Sequence, residues 1–380
     1  MRAGPGPLAG VRKIAVLRAN AIGDFVVSLP AFEALRAAYP EAEIVLLGTR
    51  IHDELLAGRP APIDRVVVVP AVPGVAAPCD ASAAELDGFF GRMRREQFDL
   101  AIQLHGGGRH SNPLVRRLGA RTTVGLRDRD APPLDRAVRY VYWQHEAVRF
   151  LEVVALAGAR PVTIEPRLEV TARDGVEADT VVGGAEEPFV VLHAGAGDVR
   201  RRWPVAKFAA VGDELSRAGA TVVAVGSGDD EALVGELASA MEEPLVNAAG
   251  RLTLGGLLGL LARSALLVGN DSGPRHLAEA VGTATVAVYW CGNLFNSGPL
   301  TRTRHRPLPA WTVACPVCGA SAVDPDEPRC EHEVSFVADV SVESVLDAAV
   351  ELLAERERSD VVPAPPTARG ERGSLAHRVR

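Results

Sequence analysis

Lys13-Ile-Ala-Val-Leu-Arg-Ala-Asn-Ala-Ile-Gly-Asp24 is the stretch whose reading decides the fold class. The apolar run Ile14–Leu17 breaks into a polar turn, and Phe25, Leu29, Phe32 and Leu35 then recur at helical spacing. A short β-branched run followed by an amphipathic stretch reads as a buried strand feeding a crossover helix. The alternation continues outward, with strands expected at Ile44–Leu47, Val66–Val69, Leu100–Leu104 and Thr122–Val124. Helices are expected near Phe25–Tyr39, Ala81–Glu96 and His145–Ala157. A polar, glycine-rich stretch over 172–188 interrupts the pattern, and Phe189–Leu192 starts it afresh. Thr221–Val225, Leu266–Val268 and Thr285–Val288 follow as strands, with helices at Val205–Arg217, Glu231–Met241, Leu254–Ala262 and Ser272–Val281.

The expectation is an α/β chain of two doubly wound, Rossmann-like domains facing each other across a cleft. The first domain is placed at 11–172 and the second at 186–340, with a last helix over 341–358. The segment 359–380 is too polar and proline-rich to order itself. At 380 residues, 47% hydrophobic and 23% charged, the chain has enough apolar content for two ordinary cores. The net charge of −7 argues against a nucleic-acid coat, so no nucleic-acid partner is expected and any anion site must be local. Neither a signal-peptide core nor a membrane-length apolar run is present, and five cysteines make an odd set, so a cytoplasmic location is expected. Lys13 and Lys207 are the only lysines, so the remaining 39 of the 41 basic residues are arginine.

Ligands in such sheets bind beyond the carboxyl ends of strands, so the turns after strands hold the candidate chemistry. In the first turn Arg18 leaves the strand, Gly23 allows a tight bend, and Asp24 serves either as a helix cap or as a general base. Gln103-Leu-His-Gly-Gly-Gly-Arg109 follows another first-half strand and offers His105 and Arg109 to a second substrate. In the second half, His193-Ala-Gly-Ala-Gly-Asp-Val-Arg-Arg-Arg-Trp-Pro204 pairs two glycines, Gly195 and Gly197, with Arg200–Arg202, a composition suited to a diphosphate. It is not a dinucleotide fingerprint, since Arg200 occupies the third glycine position, and neither lysine sits in a P-loop. Val268-Gly-Asn-Asp-Ser-Gly-Pro-Arg-His276 places Asp271 or Ser272 at a helix cap, with Gly273 and His276 beyond it. No nucleophile elbow surrounds Ser272. Asp229, in Gly226-Ser-Gly-Asp-Asp-Glu231, is an acid that can hold a ribose hydroxyl or cap a helix.

Three of these segments together resemble glycosyltransferase family 9, the ADP-heptose:lipopolysaccharide heptosyltransferases. They are Ile22-Gly-Asp-Phe-Val-Val-Ser-Leu-Pro-Ala-Phe-Glu-Ala-Leu-Arg36, Gly195-Ala-Gly197 followed by a basic residue and Trp203-Pro204, and Asp271-Ser-Gly-Pro-Arg-His-Leu-Ala-Glu-Ala280. The resemblance spans about residues 12–355 and implies the GT-B architecture, with the acceptor side first and the sugar-nucleotide side second. It also implies a C-terminal helix that returns to the first domain. By the same resemblance Asp24 matches the catalytic base, Asp271, Ser272, Gly273 and His276 the donor turn, and Asp229 the acid near the nucleoside. The chain departs from the family at Arg201, where lysine is usual, and at Tyr289-Trp-Cys-Gly-Asn-Leu-Phe295, which replaces a Gly-Pro-Thr turn, so the resemblance does not fix the sugar.

The expected reaction is inverting transfer of a heptose or similar sugar from a nucleotide-diphosphate donor to a glycan or lipid-linked acceptor hydroxyl. Asp24 takes the acceptor proton, Arg201 stabilises the departing diphosphate, and no catalytic cofactor is required. The alternatives are a sugar-nucleotide epimerase or hydrolase, and a non-catalytic sugar-nucleotide-binding protein. A lipid-linked acceptor would need only peripheral contact with the inner membrane face, for which Arg116, Arg117, Arg121, Arg127 and Arg129 lie close together in sequence; solvated surface is the equal alternative. Cys315-Pro-Val-Cys318 with Cys330-Glu-His332 supplies three thiols and an imidazole, the donor set of one structural Zn²⁺, expected away from the cleft. Surface thiols in a plain loop are the other reading.

Overall fold

The computed structural model describes residues 6–76 and 81–360, and they divide into two compact units meeting at Glu169 and Val170. In the first unit, β1 (Lys13–Leu17), α1 (Ile22–Val26), α2 (Leu29–Ala38), β2 (Glu43–Gly48), α3 (Arg50–Leu56) and β3 (Arg65–Val68) come first. α4 (Ala83–Arg95), β4 (Leu100–Gln103), α5 (Ser111–Arg117), β5 (Thr122–Arg127), β6 (Arg136–Arg139) and α6 (Glu146–Ala155) complete it. The six strands are all parallel, in the order β3-β2-β1-β4-β5-β6. β1 and β2 bury nearly every side chain, as strands covered on both faces must. The helix expected over Phe25–Tyr39 is two helices, because the chain turns at Val27 and Ser28 before Pro30 starts α2 within its first turn.

The second unit runs α7 (Ala172–Val182), β7 (Phe189–His193), α8 (Val205–Arg217), β8 (Thr221–Ala224), α9 (Glu231–Ala240), β9 (Leu245–Asn247) and α10 (Leu254–Arg263). β10 (Leu266–Asn270), α11 (Gly273–Ala280), β11 (Thr285–Trp290), α12 (Cys291–Ser297), β12 (His305–Ala310) and α13 (Val342–Asp360) follow. Its sheet, β12-β11-β10-β7-β8-β9, repeats the strand order of the first and is again wholly parallel. Both units are thus doubly wound, with the α/β class and Rossmann-like architecture expected from the sequence.

Two boundaries move. The stretch read as a linker over 172–188 contains α7, opened by a Thr171–Asp174 capping box and packed on α10, so the second unit starts before 172 and not at 186. α13 was expected to return to the first domain. Instead Val345, Ala349, Leu352 and Leu353 join the core of the second unit, beside α8 and β10–β12. Residues 361–380 of the expected tail lie outside the described residues. No helix among the described residues is long and apolar enough to cross a membrane.

Candidate functional site

In the first unit the winding reverses between β1 and β4, and the residues after these strands gather at that point. Arg18 is 1% exposed. Its Nε and Nη2 donate to the Asp24 carbonyl at 2.9 and 2.8 Å, Nη1 to the Leu104 carbonyl at 2.9 Å, and Nη2 to Glu146 at 2.6 Å. The guanidinium also lies 4.7 Å above the Phe150 ring. Arg18, expected on the acceptor side, is therefore consumed in bracing the turn, and Glu146 is a partner that sequence reasoning missed.

Asp24 is not the cap. Ala21 occupies the N-cap position of α1 and Asp24 is the third residue of that helix. Its carboxylate is 43% exposed and has Arg18 Nη2 at 3.7 Å as a neighbour. Gly23, expected to permit a tight bend, is instead a buried residue of α1 without a left-handed backbone. Asp24 and His105 share a cavity of about 440 Å³ with Asn20, Thr49 and Gly74. Burial, helped by Arg18, lowers the His105 pKa to about 4 and keeps the ring neutral. Its Nδ1 accepts from the Ala19 amide at 3.3 Å, which leaves the ring proton on Nε2, 3.3 Å from the Gly74 carbonyl. Arg109 stands exposed on the following loop, whose Gly106 and Gly108 take φ of 62° and 95°. Gln103 secures that loop by donating to the carbonyl of Gly106 at 3.0 Å and to Ser111 Oγ at 2.6 Å.

In the second unit the reversal falls between β7 and β10. Asn270, at the end of β10, donates to the Ala194 carbonyl at 2.8 Å and accepts from the Trp203 amide at 2.9 Å, fixing both ends of the 194–203 loop. Within the loop Asp198 ties up Arg200 at 2.6 Å, and Arg202 donates to the Ala196 carbonyl at 3.0 Å. Among the described residues Arg201 has one ionic contact, from Nη1 to Asp271 Oδ2 at 3.3 Å. Gly195 is closely covered: a Cβ there would stand 2.8 Å from Asp230 Oδ1 and 3.1 Å from His193 Nε2. The acid against this loop is thus Asp230, whereas Asp229 is exposed on the adjacent turn.

Asp271 is 2% exposed and collects cations. Burial works to raise its pKa, but the hydrogen bond from His276 and the charges of His276, Arg275 and Arg201 hold the carboxyl well below the usual range. His276 Nε2 is 3.4 Å and Arg275 Nη2 3.7 Å from Oδ1, while Asn293 donates to Oδ2 at 2.5 Å. His276 is thus packed against Asp271 and not free. Ser272 occupies the N-cap position of α11, ahead of Gly273, yet makes no cap bond. Its hydroxyl instead reaches His193 Nδ1 at 2.9 Å and the Asn270 carbonyl at 3.1 Å. The opening amides of α11 therefore remain available to an anion, as at other helix starts. Burial lowers the His193 pKa to about 4, with Asp230 opposing and Arg202 assisting.

The ligand atoms of Cys315, Cys318, Cys330 and His332 all lie within 4.8 Å of one another. The Cys315–Cys318 turn closes through Gly319, at φ 73°, whose amide donates to the Cys315 carbonyl at 2.8 Å. The amides of Cys318 and Val317 also point at the Cys315 sulfur and lower its pKa to about 6. Residues flanking this cluster touch the 198–203 loop. Arg329 lies 3.6 Å from Asp198, the Phe336 amide donates to the Arg200 carbonyl at 2.7 Å, and Ser335 Oγ donates to the Arg202 carbonyl at 2.7 Å.

The sequence pattern of glycosyltransferase family 9 (heptosyltransferase) matches residues 88–305. Lipooligosaccharide heptosyltransferase 2 of Haemophilus influenzae is 28% identical over 299 residues, covering 73% of this chain and 82% of the relative. A glycosyl transferase family 9 structure from Veillonella parvula superposes with a TM-score of 0.76 at 22% identity, over 92% of this chain and 100% of that one. The dodecameric iron-containing heptosyltransferase TibC, in complex with ADP-D-beta-D-heptose, superposes with a TM-score of 0.53 at 12% identity, over 93% and 78% of the two chains.

Proposed function

The chain belongs to glycosyltransferase family 9 and is a glycosyltransferase, and from that premise we propose that it inverts the anomeric centre of a nucleotide-diphosphate sugar, with Asp24 as the general base. The observation that carries the reading is the Asp24 carboxylate, which is not spent on a helix cap and stands 43% exposed at a cavity of about 440 Å³. An acceptor hydroxyl bound in the first unit would give its proton to Asp24 as its oxygen attacks the anomeric carbon. A positioned base of this kind contributes about 10²–10⁴-fold.

The second unit is read as the donor side. Arg201 and the opening amides of α11 would stabilise the negative charge growing on the departing nucleoside diphosphate. Asp271 then serves indirectly: it draws the Arg201 and Arg275 guanidinium groups and the His276 ring together, so a buried anion orients the two arginine cations in place of binding substrate. These cations supply the charge stabilisation, and the reading assigns no catalytic metal. By analogy with the relatives, the donor is an ADP-activated heptose or similar sugar and the acceptor a cell-envelope glycan or its lipid-linked form.

The Cys315, Cys318, Cys330 and His332 set fits a single tetrahedral ion by donor type and spacing, with zinc and iron both compatible with three thiolates and an imidazole. Such an ion would cross-link the 315–332 segment and take no part in the transfer. The site lies in a segment without helix or paired sheet strand, where a cross-link matters most.

Transfer from ADP-heptose to a heptose-deficient lipooligosaccharide, assayed without added Mg²⁺ and followed by NMR of the new anomeric bond, tests the proposal. Inverted product supports it, and retained configuration overturns it. Donor turnover that does not need acceptor would point to an epimerase or hydrolase. Tight donor binding with no product would point to a sugar-nucleotide-binding protein.

A further inference from the structure

The segment carrying the cysteine–histidine cluster also holds the loop assigned above to the diphosphate. Three contacts join them: Arg329 to Asp198 at 3.6 Å, the Phe336 amide to the Arg200 carbonyl at 2.7 Å, and Ser335 Oγ to the Arg202 carbonyl at 2.7 Å. The Arg200 guanidinium lies 5.7 Å from the centre of the Phe336 ring. Arg201, the residue with nitrogens to spare for a ligand, is flanked on both sides by residues whose carbonyls this segment grips. On its far side the segment is anchored to the sheet, since Thr312 donates to the Phe336 carbonyl at 2.7 Å and accepts from Trp290 Nε1 at 2.7 Å.

Little else orders residues 316–333. Their secondary structure amounts to an isolated bridge between Ala314 and Ser321, and residues 324–329 are exposed. A segment with so little buried apolar surface holds its shape through a cross-link. Three thiolates and a neutral imidazole around a divalent ion leave one net negative charge, which suits the adjacent Arg200.

We propose that a metal ion at Cys315, Cys318, Cys330 and His332 positions the 198–203 loop, so that affinity for the nucleoside diphosphate follows metal occupancy. The proposal rests on the donor-loop and metal-site readings given above. It makes the cluster a positioning device for Arg201, acting through the backbone of Arg200 and Arg202, and it makes donor binding sensitive to agents that remove the metal or oxidise its thiolates. The grip is on the ground-state loop, so the donor KM should respond more than kcat.

The test uses the full chain with its native metal content, with metal measured by elemental analysis and ADP affinity by calorimetry. The wild-type protein is expected to carry about one zinc or iron per chain and to bind ADP. Substoichiometric metal with all three thiols readily alkylated overturns the metal-site reading and the proposal with it. Metal present without binding of ADP, GDP, UDP, CDP or dTDP overturns the donor-loop reading and likewise the proposal. Cys318→Ser, at the exposed ligand, is expected to lose metal and weaken ADP binding roughly tenfold or more, with donor KM rising more than kcat falls. Ser335→Ala keeps all four ligands and is expected to retain the metal while weakening ADP about threefold, the loss of a neutral hydrogen bond. Loss of metal from folded Cys318→Ser with ADP affinity unchanged overturns the coupling. Where Cys318→Ser fails to fold by circular dichroism, unchanged ADP affinity in Ser335→Ala overturns it.

Discussion

Arg18 and Glu146, 128 positions apart in the chain, meet through a 2.6 Å ion pair beneath the turn that carries Asp24. The same guanidinium grips the Asp24 backbone carbonyl with two nitrogens, so a buried arginine held by a part-buried carboxylate sets the height of the exposed one. Glu146→Ala is expected to leave the buried arginine with only the more distant Asp24 carboxylate, at 3.7 Å, and to cost about 1–3 kcal/mol, below the roughly 3–5 kcal/mol of a fully buried pair. Urea unfolding would show this as a lowered midpoint. Loss of less than about 1 kcal/mol would mean that the carbonyls of Asp24 and Leu104 alone suffice for Arg18.

Asp24→Asn removes the proposed base and keeps the side-chain shape. Transfer should fall by roughly 10²–10⁴-fold while ADP titrations stay close to wild type, because the proposed role of the carboxylate is toward the acceptor. Stability should change little, since Asp24 caps no helix and meets Arg18 only at 3.7 Å from a 43% exposed carboxylate. Transfer within a few-fold of wild type would remove Asp24 from the chemistry.

Arg201→Ala should weaken ADP binding and lower turnover together if, as proposed, the guanidinium meets the diphosphate in the ground state and more strongly as it departs. Arg201→Lys should recover only part of the loss, because a point charge replaces a planar fork. Steady-state kinetics at varied donor concentration separates the two effects. Wild-type donor KM in Arg201→Ala would move the diphosphate site elsewhere.

Gly195→Ala tests the loop from the other side. The added methyl would meet Asp230 Oδ1 at 2.8 Å and His193 Nε2 at 3.1 Å, so the loop or the carboxylate must shift. Weaker ADP binding is expected, with unfolding stability reduced by about 1–3 kcal/mol. Unchanged ADP affinity would show that the Gly195 backbone takes no part in donor binding.

Both sheets were legible because strands such as β1 and β7 are buried on both faces and so read as continuous apolar runs. Of the outer strands β3 was expected, whereas β6, β9 and β12 were not. β6 is only four residues, with Arg136 and Arg139 flanking Ala137 and Val138, and β12 contains Pro307 and Pro309, compositions that suit a sheet edge and hide the strand. Turn positions of the site were visible as strand ends, and the Cys–His spacing was visible as a ligand set. What stayed hidden were pairings over long sequence distance: Glu146 under Arg18, Asn270 across the 194–203 loop, and Ser335 on Arg202. Side-chain direction on the 3₁₀ turn, which brings Asp230 rather than Asp229 against Gly195, is not readable from composition.

Three buried histidines predict how the protein responds to acid. His52, His105 and His193 each have their pKa lowered from about 6.5 to about 4, burial being the main cause, with Arg18 contributing at His52 and His105. In the unfolded chain they take up protons as the pH falls through about 6.5, while in the folded protein they resist until about 4. The unfolded state therefore binds more protons across that window, and stability falls as pH falls, with the full contribution present above about 6.5. At about 1.4 kcal/mol per pKa unit, His193 alone accounts for on the order of 3 kcal/mol between neutral pH and pH 4. Unfolding midpoints in urea measured at pH 7, 6, 5 and 4 should decline steadily, and His193→Asn should shallow that decline. A flat profile between pH 7 and 5 would mean that these rings are not held neutral. Since His193 contacts Ser272 at 2.9 Å and lies under Gly195, ADP affinity should weaken over the same acid range.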